Sequence, residues 1–187
     1  MTILIEGPDN VGKSSQIRAI KNHFNKETFA TCSLGSVKQN SPEEYIQCSK
    51  DYFKNLVELS NYQYSIGKSS IWDRSHLGEM VYAPMYRNYS GDFALEYEKH
   101  VIDPDTFLFV FIDEAQNLID RDDGLSHSVE LDKKEKEIKL FEEAYEKSTI
   151  KNKTIIYING LNEKEVTERV IRYLNVKIKN KGQKCIK

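Results

Sequence analysis

Gly7-Pro8-Asp9-Asn10-Val11-Gly12-Lys13-Ser14 sets two glycines with four residues between them, followed by a lysine and a hydroxyl residue, the pattern of a loop that cradles phosphate. Thr2-Ile3-Leu4-Ile5-Glu6 before it is short and rich in β-branched residues, which predicts a buried strand. Ser15 to Lys21 after it has helical spacing. Strand, glycine turn and helix is the context in which the backbone N–H groups of residues 9–14 curl around an anion at a helix N-terminus. Gly7, Asn10, Val11, Gly12, Lys13, Ser14 and Ser15 are therefore the candidate triphosphate-binding residues.

Composition narrows the classes. A chain of 187 residues predicts one domain, burying roughly 70% of its unfolded surface. The net charge of −2 argues against the basic field of a non-specific nucleic-acid binder. No apolar run approaches the roughly 18 residues of a membrane span, so no membrane partner is expected. The chain enters its first strand at Thr2, leaving no room for a signal peptide. Cys32, Cys48 and Cys185 are odd in number and far apart, which suits reduced packing residues in a cytoplasmic protein.

Taken in order, the helix from about Lys13 to Lys26 carries Ile17, Ile20 and Phe24 on one face. Thr28 to Leu34 reads as a second strand. Ser41-Pro42-Glu43-Glu44 opens a helix, with Ser41 as cap, Pro42 in the first turn and Glu44 closing a capping box. That helix runs to about Ile66 and predicts Tyr45, Cys48, Tyr52, Phe53, Leu56 and Leu59 facing inward. Such a stripe is chiefly core, with Phe53 the candidate for lining a base pocket. Ser69 to Trp72 is a third strand, with Asp73-Arg74 at its C-terminal end, where open α/β sheets place ligands. Leu77 to Tyr89 reads as an aromatic loop around Pro84, and Gly91-Asp92 opens a helix to about Val101.

Thr106 to Ile112 is nearly unbroken apolar sequence, as a central parallel strand buried on both faces requires. A helix-like stretch, Asp113 to Asp120, leads into the polar run Arg121 to His127, so that residues 113–130 form a candidate mobile lid. A helix from about Glu130 to Lys147 predicts Leu131, Ile138, Phe141 and Tyr145 inward and a solvated charged face. Thr154 to Ile158 is the last strand. Asn162, with Glu165 three residues on, caps a helix through Leu174. The remainder, Val176 to Lys187, has five lysines and no acid and reads as a basic tail. Five strands alternating with helices predict a three-layer α/β fold, a five-stranded parallel sheet with helices on both faces.

Phosphoryl transfer asks a protein for positioning, Mg²⁺ and positive charge on the transferring oxygens. Lys13 can reach the outer phosphates, and the Ser14 hydroxyl is a candidate Mg²⁺ ligand. Asp73 is a second candidate for the metal shell, or for orienting a nucleophile. Arg74 can clamp an acceptor phosphate bidentately. Arg121, in the polar segment, can stabilise a transition state from a lid.

With Gly7-Pro8-Asp9 in the loop, Asp73-Arg74 after strand three, Pro104-Asp105 before strand four and Arg121 in the lid, the chain resembles thymidylate kinase, among the P-loop nucleoside monophosphate kinases. The run Asp73 to Tyr82 through Tyr86-Arg87, with Arg121 to Gly124, is closer still to the short phage-encoded members. The resemblance implies a P-loop kinase fold, ATP as phosphoryl donor, a nucleotide substrate and a homodimer through helices flanking the sheet, with residues 42–66 as the seam. It also implies that Asp9 contacts the sugar 3′-hydroxyl, that Arg74 holds the acceptor phosphate, that Tyr82 packs on the sugar and base, and that Arg87 joins the substrate-binding residues. Some relatives have an arginine where Asn10 stands, which shifts the transition-state role to Arg121. Two features depart from the family: helix 42–66 offers no arginine to read a thymine edge, and Cys32-Ser33-Leu34-Gly35 replaces an Arg-Glu-Pro turn.

The activity so implied is transfer of the ATP γ-phosphate to a deoxynucleoside monophosphate, dTMP or a relative. Two rivals stand beside it. Asp73-Arg74-Ser75 also suits a deoxynucleoside kinase, or a kinase acting on a modified base or end in DNA. A nucleotide-binding switch would use Asp113, after the hydrophobic strand, but would leave Asp73, Arg74 and Arg121 idle.

Overall fold

The computed structural model describes residues 1–24, 29–33 and 39–182, without the side chains of residues 32–33 and 179–182. Its centre is β1 (Thr2–Glu6), every residue of which is buried. β3 (Ser69–Asp73) lies on one side of β1 and β4 (Thr106–Ile112) on the other. With β2 (Phe29–Ser33) and β5 (Asn152–Tyr157) at the edges, the order is β2-β3-β1-β4-β5, and all pairings are parallel.

The period-2 alternation of a strand divides the core into two layers. Ile3 and Ile5 of β1, Ile71 of β3 and Phe107, Phe109 and Phe111 of β4 point to one face. There they meet Ile17 and Ile20 of α1 (Lys13–Phe24) and Val166, Val170 and Leu174 of α6 (Glu163–Gly182). Leu4, Trp72, Leu108, Val110 and Ile112 point to the other. They meet Leu56 and Val57 of α2 (Pro42–Ser65), Leu77 and Val81 of α3 (His76–Tyr82), and Phe141 and Ala144 of α5 (Leu131–Lys147). α4 (Ala115–Asp120) sends Leu118 to the first layer. The expected three-layer α/β fold is present.

Several local expectations shift. Residues 77–89, read as a loop, are helical: α3 continues into a π-helical turn, Ala83–Arg87. Leu77, Met80 and Val81 are buried at helical spacing, and Pro84, which lacks an N–H, sits where the helix widens. The segment Asp92–His100 is a 3₁₀ helix. In α2 the inward face is Ser49, Phe53, Leu56, Val57 and Ser60, while Leu59 is exposed. The stripe is displaced because the two serines have buried partners. Ser49 Oγ donates to Glu79 at 2.9 Å, and Ser60 Oγ accepts from the Trp72 indole at 2.5 Å. In α5, Leu131 is exposed whereas Lys134 and Glu137 are fully buried. α6 runs past Leu174 to Gly182, since no residue in Asn175–Lys181 breaks a helix; the rest of the expected tail, 183–187, lies outside the described residues, as do Lys26, Thr28, Leu34 and Gly35.

Both capping expectations hold in outline. Glu44 N donates to Ser41 Oγ at 3.3 Å, and the reciprocal bond comes from Asn40 N to Glu44 at 2.9 Å. At α6, Asn162 N donates to Glu165 and Glu165 N to Asn162 Oδ1. Among the described residues no helix is long and apolar enough to cross a membrane. The C-terminal ends of β1, β3 and β4 deliver the glycine loop, Asp73-Arg74 and Asp113 to one edge of the sheet, the edge at which such sheets bind ligands.

Candidate active site

The loop leaving β1 turns through positive φ at Gly7 (138°), Asn10 (67°) and Gly12 (84°). At Gly7 the requirement is steric as well: a Cβ would lie 2.3 Å from the carbonyl oxygen of Phe111 on β4. Val11 is buried in the core, so only its backbone is available to a ligand. Lys13 is 6% exposed and its Nζ donates to the carbonyls of Gly7 at 2.8 Å and Pro8 at 2.6 Å. Burial pushes the Lys13 ammonium down to about 8; the nearby Arg74 charge adds to this, and Asp9, Glu6 and Asp73 oppose it.

A cavity of about 350 Å³ opens on this loop. Asn10, Gly12, Lys13, Ser14 and Ser15 form one side, Asp73 and Arg74 a second, and Asp123, Leu125 and Ser126 a third. A second cavity of about 330 Å³ adjoins it. Glu6, Gly7 and Asp9 form its floor, Glu79, Tyr82 and Arg87 a wall, and Leu125 and His127 border it from the segment after α4. Asp9, Arg74 and Leu125 line both. A larger open groove, about 890 Å³, lies between α1 and α6 and contains none of the candidate residues.

Arg74 is the hinge between the two cavities. It adopts φ = 70°, a left-handed conformation that costs a non-glycine residue on the order of 1 kcal/mol. Its Nη2 stands 2.7 Å from Asp9 Oδ1. Burial alone would raise the Asp9 carboxyl, but Arg74 and Lys13 outweigh it and hold it below the ordinary range. Beneath them, Glu6 is 1% exposed, and its Oε1 accepts from Ser75 N at 2.8 Å, Ser75 Oγ at 2.8 Å and Gly78 N at 3.1 Å. These three bonds satisfy a buried carboxylate and pin the start of α3 to the end of β1.

The wall of the second cavity is built from α3 and its π turn. Arg87 Nη1 pairs with Glu79 Oε2 at 2.8 Å and its guanidinium lies 5.1 Å over the Tyr45 ring. Glu79 Oε1 also accepts from Ser49 Oγ at 2.9 Å and from the Tyr89 hydroxyl. Tyr82 is 5% exposed, and its hydroxyl has no hydrogen-bond partner among the described residues. Burial and the Asp9 charge raise that phenol well above its ordinary range. His127 stacks on Tyr86 at 4.9 Å with an 18° interplanar angle, and both rings contact Tyr82.

Besides the core residue Val11, two sequence candidates stand apart from both cavities. Phe53 is 1% exposed, packed edge-on against Tyr52 and tilted against Tyr97, and lines neither. Arg121 lines neither as well: Nε donates to Asn117 O at 2.9 Å and Nη2 pairs with Asp113. Asp122 turns toward the loop instead, where its carboxylate accepts from Asn10 Nδ2 at 3.0 Å; the same amide donates to Ser126 Oγ at 2.8 Å and Leu118 O at 3.2 Å. Asn10 thus ties the glycine loop to the segment expected to form the lid. Sequence reasoning missed Glu6, Glu79, Tyr86 and His127. A glutamate ending a buried strand was the available signal for Glu6; the others depend on contacts distant in sequence.

No protein-family model matches the chain, and no curated protein sequence matches it. Solved structures do. The YorR protein of Bacillus subtilis in complex with phosphorylated GDP matches at TM-score 0.71 and 16% identity, over 95% of this chain and 97% of that one. The thymidylate kinase of Candida albicans, whose structure is described as revealing the origin of broad substrate specificity, matches at TM-score 0.71 and 14% identity, over 94% and 91%. The deoxyadenosine kinase of M. mycoides with bound dCTP matches at TM-score 0.52 and 18% identity, over 94% and 100%. The likeness is one of fold. It extends over almost the whole of each chain, so the expected three-layer α/β fold stands.

Proposed function

We propose that this chain is a nucleoside monophosphate kinase of the thymidylate-kinase type, moving the γ-phosphate of ATP to a deoxynucleoside 5′-monophosphate (dTMP or a relative) to give the diphosphate. The observation that carries this reading is the adjacency of the two cavities, which share Asp9, Arg74 and Leu125. A triphosphate on the Lys13 loop and a monophosphate beside Arg74 would meet at that boundary. The fold likeness to nucleotide kinases is consistent with it.

In this scheme a phosphate oxygen of the acceptor attacks the γ-phosphorus, the bond to the β,γ-bridging oxygen breaks, and ADP leaves with that electron pair. Lys13 gives up its two carbonyl acceptors to bind phosphate oxygens, and the backbone N–H groups of the loop take the rest. Arg74, held by Asp9, fixes the acceptor phosphate in line and spreads its charge. Ser14 and Asp73 line the same cavity and offer the hard oxygen ligands that suit Mg²⁺, the remainder coming from phosphates and water; bound there, Mg²⁺ would neutralise charge on the β- and γ-phosphate oxygens. Residues 113–130 would act as a lid that excludes water, in which Arg121 must leave Asp113 to reach the transferring group.

The test is release of ADP measured against each deoxynucleoside monophosphate and each deoxynucleoside in turn. The expected result is turnover with one or more monophosphates, reduced roughly 10²–10³-fold by Lys13→Ala or Arg74→Ala with the fold intact by circular dichroism. Phosphorylation of a nucleoside or DNA end, and of no monophosphate, would overturn the assignment of the acceptor.

A further inference from the structure

We propose that His127 is the size-setting wall of the acceptor cavity, carried in by the lid and held in place by Tyr86. This rests on the reading of that cavity as a deoxynucleoside monophosphate site. His127 borders the cavity while Tyr86, on which it stacks, does not; the imidazole therefore covers the phenol ring and presents its own outer face to the ligand. The ring centroids of Tyr82, Tyr86 and His127 stand 6.1, 4.9 and 5.1 Å apart. Two rings need roughly 7 Å between centroids to sandwich a third, twice the closest spacing of stacked π faces. No nucleobase enters this cluster, so the ligand must lie beside it.

The cluster is anchored from below. The Tyr86 hydroxyl donates to Glu137 Oε1 at 2.7 Å, and Glu137 Oε2 pairs with Lys134 Nζ at 3.0 Å, with both charged side chains fully buried. A buried pair of this kind contributes little net stability, yet breaking it is expensive, which suits a fixed reference point. From α5 the anchor reaches across to the π turn, fixing Tyr86, and so the plane against which the lid histidine settles. Asn10 fixes the same lid segment through Asp122 and Ser126, so His127 is held between two tethers.

Volume gives this wall its consequence. At about 330 Å³ the cavity is near the lower end of the range for small-ligand sites, about 300–1,000 Å³. One five-membered ring more or less then decides between a one-ring and a two-ring base. Removing the imidazole opens room for the larger base and takes contact from the smaller.

The experiment compares wild type, His127→Ala and His127→Phe, measuring kcat/KM for purine and pyrimidine deoxynucleoside monophosphates and following the His127 ring-proton resonance in wild type as each monophosphate is added. We expect His127→Ala to raise the purine-to-pyrimidine ratio roughly tenfold, whichever the wild type favours, and His127→Phe to keep the wild-type ratio. The ring resonance should move on saturation with the preferred monophosphate. A ratio unchanged in His127→Ala, a His127→Phe enzyme that behaves like it, or a resonance indifferent to ligand would each overturn the inference while leaving monophosphate turnover in place. Failure of wild type to bind any monophosphate would instead bring down the acceptor assignment, and this inference with it.

Discussion

Lys13 is a cation kept out of water, and its two carbonyl partners do not restore its ordinary proton affinity. With the ammonium brought down to about 8, the folded protein begins to lose this proton near pH 8, whereas the unfolded chain keeps it to about 10.5. Between these values the unfolded state binds more protons, so this group makes folding more favourable as pH rises. Under the proposed function, nucleotide binding would have the opposite sign, because phosphate favours the charged form. Calorimetry at pH 8.5 in buffers of different ionisation enthalpy should show uptake of part of a proton on triphosphate binding, with affinity falling as pH rises further; Lys13→Met should take up none. Lys13 and Arg74 could be singled out because they sit in short motifs whose spacing is local, whereas the role suggested for Asp9 came only from the family resemblance. Lys134 and Glu137 could not be singled out, since charges on an amphipathic helix ordinarily face solvent and Tyr86, their partner, lies 51 residues from Glu137.

Among the elements, the 3₁₀ segment ties together parts of the chain distant in sequence. Its Glu98 accepts from Ser148 Oγ, Thr149 N and Thr149 Oγ1, each at 2.6 Å, and meets His76 Nε2 at 2.5 Å. One carboxylate thus joins the start of α3 to the turn between α5 and β5. Burial would raise its pKa, but the His76 contact and the hydroxyl bonds bring it down to about 2. A lowered carboxylate contributes its stability above the unfolded value of 4.5 and loses it as pH falls toward 2. Glu98→Gln should cost about 3 kcal/mol at pH 7, read from urea midpoints, and the gap from wild type should narrow by pH 3. None of this was visible beforehand, because a glutamate in a short charged helix resembles any surface residue. The π turn was hidden for a related reason. Pro84 signals a break in a one-dimensional reading, whereas in the fold the helix widens and continues.

At the scale of the molecule, alternation within β4 and helical spacing after each strand made the layered sheet readable: Phe107, Phe109 and Phe111 go to one layer and Leu108, Val110 and Ile112 to the other. Cavity walls follow no period, which is why Phe53 was expected at a pocket and His127 was not. Leu125 shows what such geometry implies for behaviour in solution. It is 84% exposed yet borders both cavities, so either nucleotide would shelter part of an oily side chain, worth up to about 2 kcal/mol when fully covered. Whatever the first guest covers is no longer there for the second to cover. Melting temperatures should then rise less with donor and acceptor together than the separate increments predict, and Leu125→Ser should return the two increments to simple addition.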